Sequence, residues 1–179
     1  MSKIVVLVLS VAATFFVVGE RSPGGEEFVH TYHASKALSL CTTGEEVVFN
    51  CSLRKSMKLV SLCASAKLSK TEGYLQYRFG MPDRIELEYP RERVNSQKAF
   101  EYSHYFRAKV DLTEISFTRD GYAYKLFDEY NGEETPTVSG QGISVTSPEA
   151  RKETTYRCSN KAQVDFSLIG EVLENTSAQ

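Results

Sequence analysis

From Gly44 onward the chain alternates apolar and polar residues in short runs separated by turn signals. Val47, Phe49, Cys51 and Leu53 alternate with Glu46, Val48, Asn50 and Ser52. A repeat of two is the repeat of a strand with one buried face, whereas a helix would need apolar residues three and four apart. No segment after residue 40 sustains such a helical stripe for three turns. This pattern confines the chain to folds built from antiparallel strands, because runs this short and this closely spaced leave no room for helical crossovers.

The same reading carries to the C-terminus. Residues 57–64 (MKLVSLCA) return from the first strand, and residues 73–79 (GYLQYRF) place Leu75, Tyr77 and Phe79 on one side. Residues 84–89 put Ile85, Leu87 and Tyr89 inward and Arg84, Glu86 and Glu88 outward, and Pro90 ends that strand because it has no N–H to donate. Residues 99–110 read as one alternating strand around Phe100, Tyr102, His104 and Phe106. Asp120-Gly121 between residues 114–118 and 122–128 is a strong hairpin signal. Residues 142–146 and 155–159 are further strands, and Val164, Phe166 and Leu168 suggest a last one. About nine short strands predict an all-β fold, an antiparallel sandwich or barrel. The segments GYLQYRF at 73–79 and GYAYKLF at 121–127 are alike and suggest two related β-meanders.

The N-terminus is different material. Lys3 precedes an uncharged run at residues 4–18 that ends at Gly19-Glu20-Arg21. A basic start, an apolar run of roughly 7–15 residues and a small exit residue describe a secretory signal peptide. Residues 1–19 are therefore expected to be removed, with cleavage after Gly19. The run is short of the roughly 20 residues that cross a bilayer, so no stable membrane insertion is expected after cleavage. The divisions that follow are an arm at residues 20–40, a β domain at 41–169 and a flexible tail at 170–179.

Four cysteines, Cys41, Cys51, Cys63 and Cys158, agree with export, since an even number in an exported chain reads as disulfides. Four cysteines allow three pairings. The expected one is Cys41–Cys51 with Cys63–Cys158, the second tying the last strands to the N-terminal half. No two cysteines have the spacing of a zinc site, and His30 and His33 lie in the expected arm, so neither a metal nor a cofactor is expected.

Charge narrows the function classes. The whole chain has 21 basic and 23 acidic residues, and losing residues 1–19 leaves 20 basic against the same 23 acidic, so nucleic acid is not an expected partner. A mean hydropathy of −0.30 excludes a polytopic membrane protein.

Catalytic motifs are scarce. Ser52-Leu53-Arg54-Lys55 matches S-x-x-K without the companion motifs. Asp83, Glu86 and Glu88 form a small acidic run in which two carboxylates share a strand face, the geometry an acid–base pair needs. His104 has no acid or nucleophile nearby in sequence. No catalytic residue is assigned. Aromatic residues stand out instead: 10 Tyr and 10 Phe with no Trp. Tyr combines a rigid apolar surface with a polar tip, and Tyr74, Gln76 and Arg78 project from one strand face, so these three are the candidate binding residues. Tyr122, Tyr124 and Leu126 share a face in the same way.

Between Cys41 and Pro90 the runs CTTGEEVVFNC, KLVSLCAS, GYLQYRFG and IELEYP resemble a group of small secreted bacterial proteins of unassigned function. That resemblance implies a periplasmic β-protein and transfers no catalytic residue. In architecture the chain is also similar to the periplasmic inhibitors of c-type lysozyme, although their S-G-x-x-Y motif is absent: Glu72-Gly73-Tyr74-Leu75-Gln76 keeps only the Gly. The functional expectation is an exported, periplasmic or secreted, non-catalytic protein that binds another protein or a cell-envelope ligand, of inhibitor or immunity type. The alternatives are a cell-envelope hydrolase using carboxylates and a structural envelope component.

Overall fold

A computed structural model describes residues 38–178. The expected signal peptide and residues 20–37 of the expected arm lie outside these residues. Among the described residues ten strands form two antiparallel sheets of five. The first holds β1 (Glu45–Ser52), β2 (Leu59–Ser65), β3 (Leu75–Met81) and β4 (Arg84–Tyr89) as a meander. The second holds β5 (Glu101–Arg107), β6 (Val110–Arg119), β7 (Tyr122–Asn131), β8 (Val138–Thr146) and β9 (Glu153–Arg157), again in sequence order. The chain then returns to the first sheet, where β10 (Gln163–Val164) pairs with β1, and continues into α1 (Ser167–Val172). The fold is all-β and antiparallel as expected, and of the two expected architectures, sandwich and barrel, it is two sheets that do not close into a barrel.

The core lies between the sheets. Val60, Leu62 and Tyr77 of the first face Ile115, Phe117 and Leu126 of the second. Phe117 is the hub of an aromatic group, with ring centroids 4.7 Å from Tyr89, 4.7 Å from Tyr124 and 4.9 Å from Tyr77. Asp120 and Gly121, both at positive φ (51° and 80°), make the two-residue turn between β6 and β7. A turn of that hand matches the twist of the strands it joins.

Four local expectations change. Val48 is an extra residue opposite the Cys63–Leu62 step of β2, a bulge that puts Val47 opposite Cys63 on the outer side while Phe49 and Cys51 keep the core side, and Asn50, on the outer side, is buried as well because residues 38–41 cover it. The strand expected at residues 99–110 is two, because Ala108-Lys109 turns the chain without any Gly, Pro or Asn, Lys109 taking φ 63°. Of the last expected strand only Gln163–Val164 pairs, and Phe166 stacks on Phe49 at 6.0 Å. The tail expected to be flexible at 170–179 is instead docked as far as it is described. Val172 of α1 is buried. Asn175 accepts from the His104 N–H through Oδ1 and donates through Nδ2 to the His104 carbonyl, both at 2.9 Å. Thr176 donates to the Tyr102 carbonyl at 3.0 Å. The tail thus covers the outer edge of β5, which would otherwise present unpaired backbone groups.

Ending the chain after Leu173 is therefore expected to cost about 1–2 kcal/mol, the net value of a few hydrogen bonds. Amide exchange at His104 should accelerate, and the bared edge should promote self-association, read by hydrogen exchange and size-exclusion chromatography. Unchanged exchange at His104 would show that the tail does not hold this edge.

The expected disulfide pairing is overturned. The bonds are Cys41–Cys63 and Cys51–Cys158, with Cα separations of 5.4 and 5.5 Å, and no cysteine is free. The reason is the side of the sheet on which each sulfur lies. Cys51 pairs with Val60 and so faces the core, where Cys158 arrives at the end of β9. Cys63 stands one residue past Leu62 and faces outward, beneath the segment carrying Cys41. A Cys41–Cys51 bond would have to pass through the sheet. Two formed disulfides fit an oxidising compartment.

Candidate functional site

The structure brings Tyr74, Gln76 and Arg78 together on the outer face of the first sheet, then covers that face with residues 38–41. The Leu40 N–H donates to Ser61 Oγ at 3.0 Å, Asn50 Nδ2 donates to the Leu38 carbonyl at 3.1 Å, and Cys41–Cys63 pins the segment. Part of the expected arm is in this way the lid of a buried polar network. Arg78 is 2% exposed and Gln76 1%.

Arg78 carries five N–H donors, and it donates five hydrogen bonds: to Glu45 twice (2.5 and 2.8 Å), Leu40 O (2.9 Å), Gln76 Oε1 (2.7 Å) and Glu88 (3.1 Å). Gln76 Nε2 donates to Pro90 O at 3.0 Å, and the Tyr74 hydroxyl donates to Glu45 at 2.8 Å. The side chains expected to meet a ligand are thus engaged within the chain. Burial alone would raise the Glu45 pKa, but hydrogen bonds from Arg78, the Thr42 N–H and Tyr74 outweigh it and hold the carboxyl at about 2. Burial and the bond to Glu45 push the Tyr74 phenol up.

The two carboxylates of the acidic run that share a strand face are each engaged by a cation. Glu86 bonds Lys58 at 2.6 Å and Glu88 bonds Arg78 at 3.1 Å, each held by a different cation. His104 does have an acid partner: its Nε2 lies 3.0 Å from Asp111 Oδ1 across the β5–β6 pair. Sequence reading missed it because the turn at Ala108-Lys109 was hidden inside an apparent single strand. Cys41, Glu45 and Cys63 cluster within 4.8 Å, but the two sulfurs are bonded to each other and offer no thiolate to a metal.

An open site exists where the inner faces of the sandwich part. A cleft of about 600 Å³ lies between the sheets, walled on one side by Tyr77, Phe79 and Leu87 and on the other by Tyr124, Ile143, Val145 and Tyr156. Its size falls in the range of roughly 300–1,000 Å³ usual for small-molecule sites. The walls come from β3, β4, β7, β8 and β9, and of them sequence alternation placed Tyr77, Phe79 and Leu87 on inward sides. The geometry leaves several of them uncovered, and Tyr156 remains 48% exposed. Burial, with the nearby Tyr124 phenol, pushes the Tyr77 phenol up, so it stays a neutral donor. The β1–β2 turn forms the rim, with Arg54, Lys55 and Lys58 at the mouth. Lys58 lies 5.0 Å from the Phe79 ring centroid. The Arg54 N–H donates to the Arg157 carbonyl, and its Nε donates to the Cys158 carbonyl, both at 2.9 Å, which anchors the rim to the second sheet.

The fold and site together define a disulfide-stapled, two-sheet β-sandwich with an apolar inter-sheet cleft under a basic rim. No family model, curated protein or solved structure matches the chain.

Proposed function

We propose that this chain is an exported, non-catalytic binding protein, and that its ligand enters the cleft between the sheets. The observation that carries this reading is that apolar residues which should be buried between two sheets are left facing an open space. Uncovered apolar surface costs about 25 cal/mol per Å² relative to burial, and a continuous apolar patch of this kind in a soluble domain marks an interaction site. The apolar run at residues 4–18 and the two disulfides support export. The engagement of Glu86 and Glu88 by Lys58 and Arg78 supports binding over turnover, since each carboxylate is held by a cation.

Filling the cleft tests this. Val145 lines it and is only partly buried, so Val145→Trp should occupy the space without disturbing the core. The wild-type protein is expected to bind Nile red, a neutral apolar dye, and the variant to lose at least about tenfold in affinity, about 1.4 kcal/mol, with its melting temperature little changed. No dye binding to the wild type, or equal binding to both, would falsify the cleft as a ligand site.

A further inference from the structure

Resting on that reading of the cleft, we infer that its ligand is a single-chain amphipath with an anionic head, the alkyl chain lying between the sheets and the head on the rim formed by Arg54, Lys55 and Lys58.

The shape argues for a chain. The walls are two β-layers, and facing sheets stand about 10 Å apart. A space between two such layers suits a slender ligand better than a bulky one. Tyr77 and Phe79 run along one wall, Ile143 and Val145 along the other. A flexible alkyl chain fills this shape without leaving wall residues wet.

The charge argues for an anion. Three cationic side chains line the mouth, and among the described residues no acidic side chain lines the cleft. Lys58 is already paired with Glu86. Arg54 uses only Nε, on the Cys158 carbonyl, so its two terminal NH₂ groups have no acceptor among the described residues. Lys55, exposed and held by a turn at φ 61°, has no ion-pair partner among them either. The Nε bond orients the Arg54 guanidinium, which leaves its outer edge to accept a carboxylate through two parallel N–H bonds. These charges are a local feature of the mouth, because the chain as a whole is slightly acidic, with a net charge of −2.

The test compares decanoate, decyl glucoside and decyltrimethylammonium, three compounds with one chain and different heads, titrated calorimetrically into the disulfide-bonded protein below their micelle concentrations. Decanoate is expected to bind at least about tenfold more tightly than decyl glucoside, about 1.4 kcal/mol, and the cation more weakly than either. Added salt should weaken decanoate alone, because exposed charges are screened. Arg54→Gln with Lys55→Gln should bring decanoate down to the level of decyl glucoside. Because Arg54 also anchors the rim, Lys55→Glu serves as the second variant, with its fold checked by unchanged melting, and should weaken decanoate while leaving decyl glucoside unaffected. Equal affinity for decanoate and decyl glucoside would overturn the anionic head and leave the cleft reading standing. Preference for the cation would do the same. If none of the three binds, and Nile red does not either, the cleft reading fails together with the inference.

Discussion

Replacing Cys51 and Cys158 together by alanine is expected to lower the unfolding free energy by about 4–5 kcal/mol, the largest single effect in this protein. The bond closes a sequence separation of 107 residues, against 22 for Cys41–Cys63. In the chain-entropy account a loop of roughly 100 residues contributes about 4.7 kcal/mol and one of roughly 15 about 3 kcal/mol, so the two bonds differ in a measurable direction. Cys51 and Cys158 are also buried in the core, where the lost sulfurs leave space that neighbours fill only in part. The Cys41→Ala/Cys63→Ala protein should lose less, about 3 kcal/mol, and its loss should appear first as faster amide exchange at Leu40, which the segment 38–41 holds on Ser61. Denaturant melts of the two double variants would check the order. A non-reducing peptide map should recover Cys41 joined to Cys63 and Cys51 joined to Cys158. Any other pairing refutes the account.

Arg78→Met is expected to cost about 3–5 kcal/mol, because it leaves the Glu45 carboxylate buried without its cation. For a domain of this size that is a fall in melting temperature on the order of 10–15 °C. The same substitution orphans the Leu40 carbonyl and Gln76 Oε1, which adds to the loss. The dependence on pH gives the prediction its sign. Glu45 is depressed from 4.5 to about 2 in the folded protein, so the stabilisation it gives is complete above pH 4.5 and is lost as pH falls through 2. That shift corresponds to about 3 kcal/mol. In the variant this carboxyl loses the largest of the contacts that hold it down, so the stability gap between variant and wild type should be wide at neutral pH and narrow toward pH 2. Adding Glu45→Leu to Arg78→Met should recover roughly half of the loss, since removing both charges is far less costly than stranding one. A gap that stays constant from pH 7 to 2 would show that the network is not held by charge.

Particular residues show how far one sequence reaches here. Asp120-Gly121 declared its hairpin because both turn positions need positive φ, and those two residue types accept it readily. Ala108-Lys109 made the same kind of reversal with ordinary residues, and nothing local revealed it. Val48 was read as a solvent-side residue because period two assumes an unbroken register, and one bulge puts Val47 and Phe49, read as sharing a face, on opposite sides of the sheet. Tyr74, Gln76 and Arg78 were correctly placed near one another, but the same alternation that marks an outward face cannot show that residues 38–41 fold back over it. Part of the cleft wall was read as core for a similar reason: Phe79 and Leu87 carry the inward pattern, while Val145 and Tyr156 lay in strands to which no inward face was assigned, and alternation does not show that these residues line an open space.

The sequence by itself determined the strand class, the two meanders and the presence of two disulfides, because alternation, turn chemistry and cysteine parity are local or countable. The pairing of those disulfides, the burial of Arg78 beneath its own N-terminal segment and the existence of a cleft were decided by the tertiary structure. Each depends on which faces of two separate sheets meet and how completely they close. That is a property of packing between residues far apart in the chain, and a pattern with a period of two residues carries no record of it.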